Sequence, residues 1–145
     1  MKALLRLLAL TATAALLPLP ACAADAPAAT PTKNRIVIQV SDDDPRKWVL
    51  ALSNVHNLQA DLGKDGVDIE VVAYGPGIGM LKEDTSVANR VLDEIADGVH
   101  FVACGNTMAA QKLTADDMVK GIGYTKAGVV HIMQREQQGW SYLRP

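Results

Sequence analysis

The sequence predicts an α/β fold: a three-layer α/β/α sandwich around a mainly parallel sheet of four or five strands. Three observations lead there. Short β-branched runs and longer amphipathic runs alternate from Arg35 onward, the order that right-handed crossovers between parallel strands impose. The second strand-like run becomes continuously apolar, as in a sheet covered on both faces. The helix-like runs carry a single apolar stripe at 3,4 spacing, as in helices that pack on one side only.

The first strand is expected over residues 35–40 (Arg-Ile-Val-Ile-Gln-Val), bounded by an Asp cluster. Asp42-Asp43-Asp44-Pro45 then places carboxylates at a helix N-cap and first turn, with proline where its missing N–H costs nothing. Trp48, Ala51, Leu52, Val55, Leu58 and Leu62 form the buried stripe of a helix of about 18 residues, which Gly63 and Gly66 end. Residues 67–74 (Val-Asp-Ile-Glu-Val-Val-Ala-Tyr) make the second strand, and Gly75-Pro76-Gly77-Ile78-Gly79 breaks it. A second amphipathic helix is expected over residues 86–96, with Val87, Val91, Leu92 and Ile95 on one side.

Residues 99–104 (Val-His-Phe-Val-Ala-Cys) form the third strand, closed by Gly105-Asn106. A short helix over residues 108–113 follows, capped by Asn106 or Thr107, and the group Thr-Ala-Asp-Asp at 114–117 suggests one more helical turn. A fourth strand is expected over residues 128–133 (Gly-Val-Val-His-Ile-Met), then a short helix over 134–138 and an edge strand over 140–143. No repeat of 20 to 50 residues is visible.

The amino terminus reads differently. Lys2 and Arg6 precede an apolar run from Leu7 to Leu17, and small residues follow at 21–24, the pattern of a secretory signal peptide over residues 1–23. That run is shorter than the roughly 20 residues a spanning helix needs, so no membrane span is expected. Cleavage after Ala23 is preferred; the alternative is a lipobox, Leu19-Pro20-Ala21-Cys22, that would anchor the protein through an acylated Cys22. Residues 24–34 hold two prolines and no aliphatic residue larger than Ala up to Lys33, which makes them a flexible linker, and 35–145 is the folded domain. Hydrophobic residues at 49% and charged residues at 21% suit one core. Without Lys2 and Arg6 the chain keeps 12 basic against 16 acidic residues, a formal charge of −4 with no basic cluster, which argues against nucleic acid or an anionic membrane as partner.

Export leaves Cys104 as the one cysteine, at the carboxyl end of a parallel strand and just before a helix, where open α/β sheets place their ligand sites. A helix start favours a thiolate, Gly105 permits close approach, and the N–H groups of Asn106 and Thr107 are placed to hold an anion bound to the sulfur. Against this stands the ordinary packing of a free cysteine in a buried strand. Without Cys-x-x-Cys the chain is no self-contained dithiol oxidoreductase. His100 lies four residues before Cys104, ~13 Å along an extended strand, so a Cys–His pair requires His56 or His131, each more simply read as a packed or surface histidine. One cysteine and three scattered histidines offer no metal spacing, and no cofactor is expected. Gly75-Pro76-Gly77 lacks the features of a phosphate loop; it turns the chain and can form a wall of a cleft beside Cys104, so Gly75 joins Gly105, Asn106 and Thr107 as a candidate ligand-binding residue.

Several pieces together resemble a known family: the Asp-rich turn after the first strand, residues 69–75 (Ile-Glu-Val-Val-Ala-Tyr-Gly), residues 102–107 (Val-Ala-Cys-Gly-Asn-Thr), and Gly128-Val129-Val130. The chain is similar to DsrE/DsrF-like proteins of YchN-like fold over the whole of residues 35–145. The resemblance implies an α/β/α sandwich assembled as a trimer or hexamer. It also implies that Cys104 is the position at which sulfur-relay members carry sulfur as a persulfide, passing it between a donor and an acceptor protein. This chain departs from those members in its signal peptide and in lacking the Arg-Arg-Gly that often follows the cysteine helix; Lys112 is the nearest counterpart. The expected function is that of a periplasmic sulfur carrier or relay component using Cys104, catalytic or not. The alternatives are a non-catalytic oligomeric binding or scaffold module with a buried structural cysteine, and a thiol redox sensor.

Overall fold

In the computed structural model, residues 33–145 are described, all within one unit of the chain, Pro31–Pro145. The expected signal peptide, Cys22 and the expected linker as far as residue 32 lie outside the described residues.

Five parallel strands form one sheet in the order β4-β3-β2-β1-β5. The β-branched run of β1 (Asn34–Val40) starts one residue before the expected boundary and pairs along its whole length with β2 (Val67–Ala73), from Asn34↔Val67 to Val40↔Ala73. On the far side of β2 lies β3 (His100–Cys104), in register Glu70↔His100 to Ala73↔Ala103. The edges are two three-residue strands, β4 (Gly123–Thr125) beside β3 and β5 (Ser141–Leu143) beside β1. Edge strands this short offer little unpaired backbone to other chains.

Side chains alternate across the sheet with the period of two that strands impose. Ile69, Val71 and Ala73 of β2 and Phe101 and Ala103 of β3 enter the larger core, covered by α1 (Pro45–Leu62), α2 (Ala88–Ala96) and the 3-10 helix Gly75–Leu81. The opposite face, with Val37, Val72 and Val102, is covered by Ile132 of α4 (Gly128–Gln137), with Tyr74 and Trp140 at its margins.

α1 begins as the acidic turn predicts. Asp44 is the N-cap, its Oδ1 accepting the Arg46 N–H at 2.9 Å, and Pro45 follows. Trp48, Ala51, Leu52 and Val55 are buried, but in the last turn Gln59 rather than Leu62 faces inward, where its amide donates to Asp97 O at 3.0 Å. α2 is two residues shorter than expected at its start, and Leu92 is exposed while Glu94 is buried.

The expected strand over 128–133 is instead the first half of α4, which absorbs the helix expected over 134–138. The β-branched pair Val129-Val130 suggests a strand, yet both point outward, and the contacts with the sheet recur at helical spacing: Gly128 and Ile132 on Val72 and Tyr74, His131 and Arg135 on Glu70. Packing overrides local propensity here. The slot beside β3 belongs to Gly123–Thr125, a segment too short and too polar to read as a strand from sequence. No helix among the described residues is long and apolar enough to cross a membrane.

Candidate functional site

Cys104 ends β3 and is the N-cap of α3 (Gly105–Gln111). This helix starts three residues before the expected one, so the sulfur is already within its first turn. β3 alternation sends Phe101 and Ala103 into the large core and Cys104 to the opposite side, beneath the start of α4. There the N–H of Gly128, the first residue of α4, donates to Sγ at 3.3 Å. The sulfur therefore sits at two helix starts, each an end whose unpaired N–H groups favour negative charge.

A hydroxyl completes the shell. The Gly75 N–H donates to Thr107 Oγ1 at 2.9 Å, which leaves the Thr107 hydroxyl proton to be donated to Sγ. Burial of Cys104, which is 5% exposed, pushes its thiol up. The hydrogen bonds outweigh that: the Thr107 hydroxyl first, then the N–H groups of Gly128, Thr107 and Asn106, hold the thiol below its ordinary range. The neutral thiol has a partner as well, since S–H can donate to Lys126 O at 3.9 Å.

The four candidate ligand residues thus meet around one sulfur. Gly75 begins the 3-10 helix after β2 and reaches Cys104 through Thr107. The Asn106 N–H is bonded mainly to Lys126 O at 3.0 Å and contributes least to the thiolate. Where a Cβ on Gly105 would lie, Thr125 O stands at 3.2 Å, so this glycine admits the end of β4. Lys112 caps the far end of α3, away from the sulfur.

None of the histidines hydrogen-bonds the sulfur among the described residues. His56 is exposed on α1, across the sheet. His100 begins β3, at the end opposite Cys104. His131 is engaged through Nε2 by Glu70 Oε1. Glu70 also receives Arg135 Nη2 at 2.8 Å and Nε at 3.1 Å, and this cluster lines a cleft of about 390 Å³ with His100, Tyr124 and Trp140. No group of three metal-ligating residues exists among the described residues.

The solved structure of MTH1491, a protein of unknown function from Methanobacterium thermoautotrophicum, superimposes with a TM-score of 0.75 at 40% identity, over 78% of this chain and all of that one. The chain belongs to the DsrE/DsrF-like family. Two more distant structures share the fold: BT1422 of unknown function from Bacteroides thetaiotaomicron (TM-score 0.65, 15% identity, 77% of this chain and 95% of that one) and the ychN protein from E. coli (0.63, 9%, 78% and 99%). No family model and no curated protein matches.

Within this DsrE/DsrF-like fold, sequence reasoning missed three residues at or near the sulfur's face. Gly128 was hidden by its assignment to a strand. Tyr74, whose hydroxyl burial pushes up, packs its Cβ where a Cβ on Gly128 would come within 3.1 Å. Glu70 had a signal: it is the acidic residue next to the apolar half of its strand, and it is 3% exposed where Asp68 at the strand's start is not buried.

Proposed function

We propose that this DsrE/DsrF-like protein is a periplasmic sulfur carrier whose Cys104 takes up and hands on sulfane sulfur as a persulfide. The supporting observation is the set of donors around Sγ, the Gly128 N–H at 3.3 Å and the Thr107 hydroxyl, which holds the thiol below its ordinary range and so raises the share of nucleophilic thiolate at any given pH. The thiolate attacks the outer sulfur of a sulfane donor such as thiosulfate. A bond forms between that sulfur and Sγ as its bond to the sulfite sulfur breaks, and sulfite leaves with the electron pair. The terminal sulfur then carries the negative charge, and the donors that held the thiolate face it. Attack by an acceptor thiolate on that sulfur returns Cys104 as thiolate, with no external oxidant or reductant.

Thr107, Gly75, Asn106 and Gly105 form the pocket wall in this reading. The signal peptide of residues 1–23 carries the periplasmic placement, and family resemblance together with the outward Val129, Val130 and Met133 of α4 supports a homo-oligomer.

A second reading rests on the 5% exposure of Cys104: a packed structural cysteine in an oligomeric binding module. Intact-mass spectrometry separates the two. Incubation with thiosulfate or polysulfide adds the mass of one sulfur atom to the carrier, removable by a thiol. A native protein that gains no mass, and whose Cys104 resists alkylation until denaturant is added, is the binding module.

A further inference from the structure

We infer that Glu70 is a positioning residue for Cys104: by gripping His131 and Arg135 it locks α4 in the one placement that puts the Gly128 N–H on the sulfur. This rests on the reading of Cys104 as a reactive thiolate and adds to it the group that fixes its shell.

β2 presents Glu70, Val72 and Tyr74, every second residue, to the underside of α4. The helix answers in order. Gly128 lies on Tyr74 and Val72, so closely that a Cβ there would come within 3.1 Å of Tyr74 Cβ, and Ile132 joins the Val72 cluster. His131 and Arg135, one turn apart, close on Glu70. The apolar contacts set how near α4 lies, and the pairing of Cys104 with Thr125 and the Asn106 N–H on Lys126 O at 3.0 Å hold the chain that leads into it, but neither fixes the turns beyond Gly128. The Glu70–Arg135 fork does. It is a bidentate, charge-assisted contact on a carboxylate 3% exposed, across 65 residues of chain, and such a pair has one geometry. Arg135 is held from behind as well, its guanidinium 4.8 Å from the Trp140 ring centroid.

A helix whose far turns swing away from Glu70 tilts the Gly128 N–H off the sulfur and weakens the 3.3 Å contact, because hydrogen bonds weaken steeply with distance and angle. The other titratable groups on this side include Tyr74, Asp68, His100, Tyr124, Arg35, Tyr142, Asp42 and Arg144; none hydrogen-bonds Glu70 or the sulfur among the described residues.

The test is the ultraviolet titration of the Cys104 thiolate in the full chain, with circular dichroism recording the folded state. Glu70→Gln is expected to move the thiolate midpoint to higher pH and slow alkylation at neutral pH several-fold, while Arg135→Lys, which keeps a cation on Glu70, shifts the midpoint less. A role confined to stability lowers the unfolding temperature and leaves the midpoint of the folded protein in place, and that result overturns the inference. Should Glu70→Gln fail to fold, Arg135→Gln, which leaves Glu70 bonded to His131, is judged by the same midpoint. Thiosulfate labelling of the wild type is read alongside: a shifted midpoint without labelling sinks the sulfur carrier and leaves the positioning role standing, and labelling with an unmoved midpoint does the reverse.

Discussion

Gly128 donates its backbone N–H to the sulfur of Cys104 across 24 residues of chain, so the thiol is served by a helix that does not contain it. The contact depends on Gly128 having no side chain, since a Cβ would stand 3.1 Å from Tyr74 Cβ and 3.3 Å from a Val72 methyl. Gly128→Ala is therefore expected to lift the start of α4 off β2 and cost about 1–3 kcal/mol, the usual range for overpacking a close contact. Thermal unfolding measures that cost. Alkylation kinetics measure its chemical consequence, a slower Cys104.

The Thr107 hydroxyl accepts from the Gly75 N–H at 2.9 Å, which leaves its proton for the thiolate of Cys104 that it helps to stabilise. Thr107→Val keeps the shape and removes the hydroxyl. The Gly75 N–H is left without its acceptor, which costs about 1–3 kcal/mol where water cannot replace it. The thiolate loses the hydroxyl that favours it, so its midpoint rises, as it does in Gly128→Ala, where the N–H is displaced rather than deleted. A Thr107→Val protein that titrates like the wild type removes the hydroxyl from the mechanism. Thr107→Ser, which keeps the hydroxyl, is the control.

Most of the architecture was legible from periodicity because burial and period agree in β1, α1, β2 and β3. It failed where they part. In residues 128–133 the adjacent pair Val129-Val130 faces out, and the residues facing in, Gly128, His131 and Ile132, include the two least apolar positions, so the run looked like a strand while its contacts are helical. β4 was invisible because three residues carry no period at all. The site was half legible: a cysteine at a strand end before a glycine marks a place in the fold, and Thr107 and Gly75 are close in sequence to turns that had to return there. The second helix start could not be seen without α4. Glu70 was visible as a charge in an apolar strand, but its partners, four residues apart, make a pair only on a helix.

The lowered thiol also fixes the sign of a pH effect on stability. Folding lowers the pH at which Cys104 ionises, so between the folded and unfolded values the unfolded chain binds more protons than the native one. Stability from this group is fully present above the unfolded thiol value and is lost as pH falls through the folded one. Chemical denaturation of wild type and Cys104→Ala across the neutral-to-alkaline range is expected to show the difference between them growing in favour of the wild type as pH rises. A constant difference across that range means that Cys104 has the same affinity for its proton in both states and contradicts the donor shell.

α4 turns Val129, Val130 and Met133 outward, with Val129 62% exposed, on the one helix that covers this face of the sheet. Valines at two adjacent outward positions of a ten-residue helix gain nothing in a monomer, where they cost helix propensity and leave apolar surface in water. In a trimer or hexamer they acquire a partner. If the proposed homo-oligomer forms through this face, replacing Val129 and Met133 together by Glu is expected to leave monomers in sedimentation velocity with the fold intact, because both side chains are exposed. The consequence for the thiol separates two roles of the assembly. If thiosulfate labelling of Cys104 survives dissociation, the donor shell of Gly128 and Thr107 is complete within one chain, as the hydrogen bonds imply. An assembly that stays intact with two glutamates on this face is built through another surface, and the outward valines of α4 then serve some other contact.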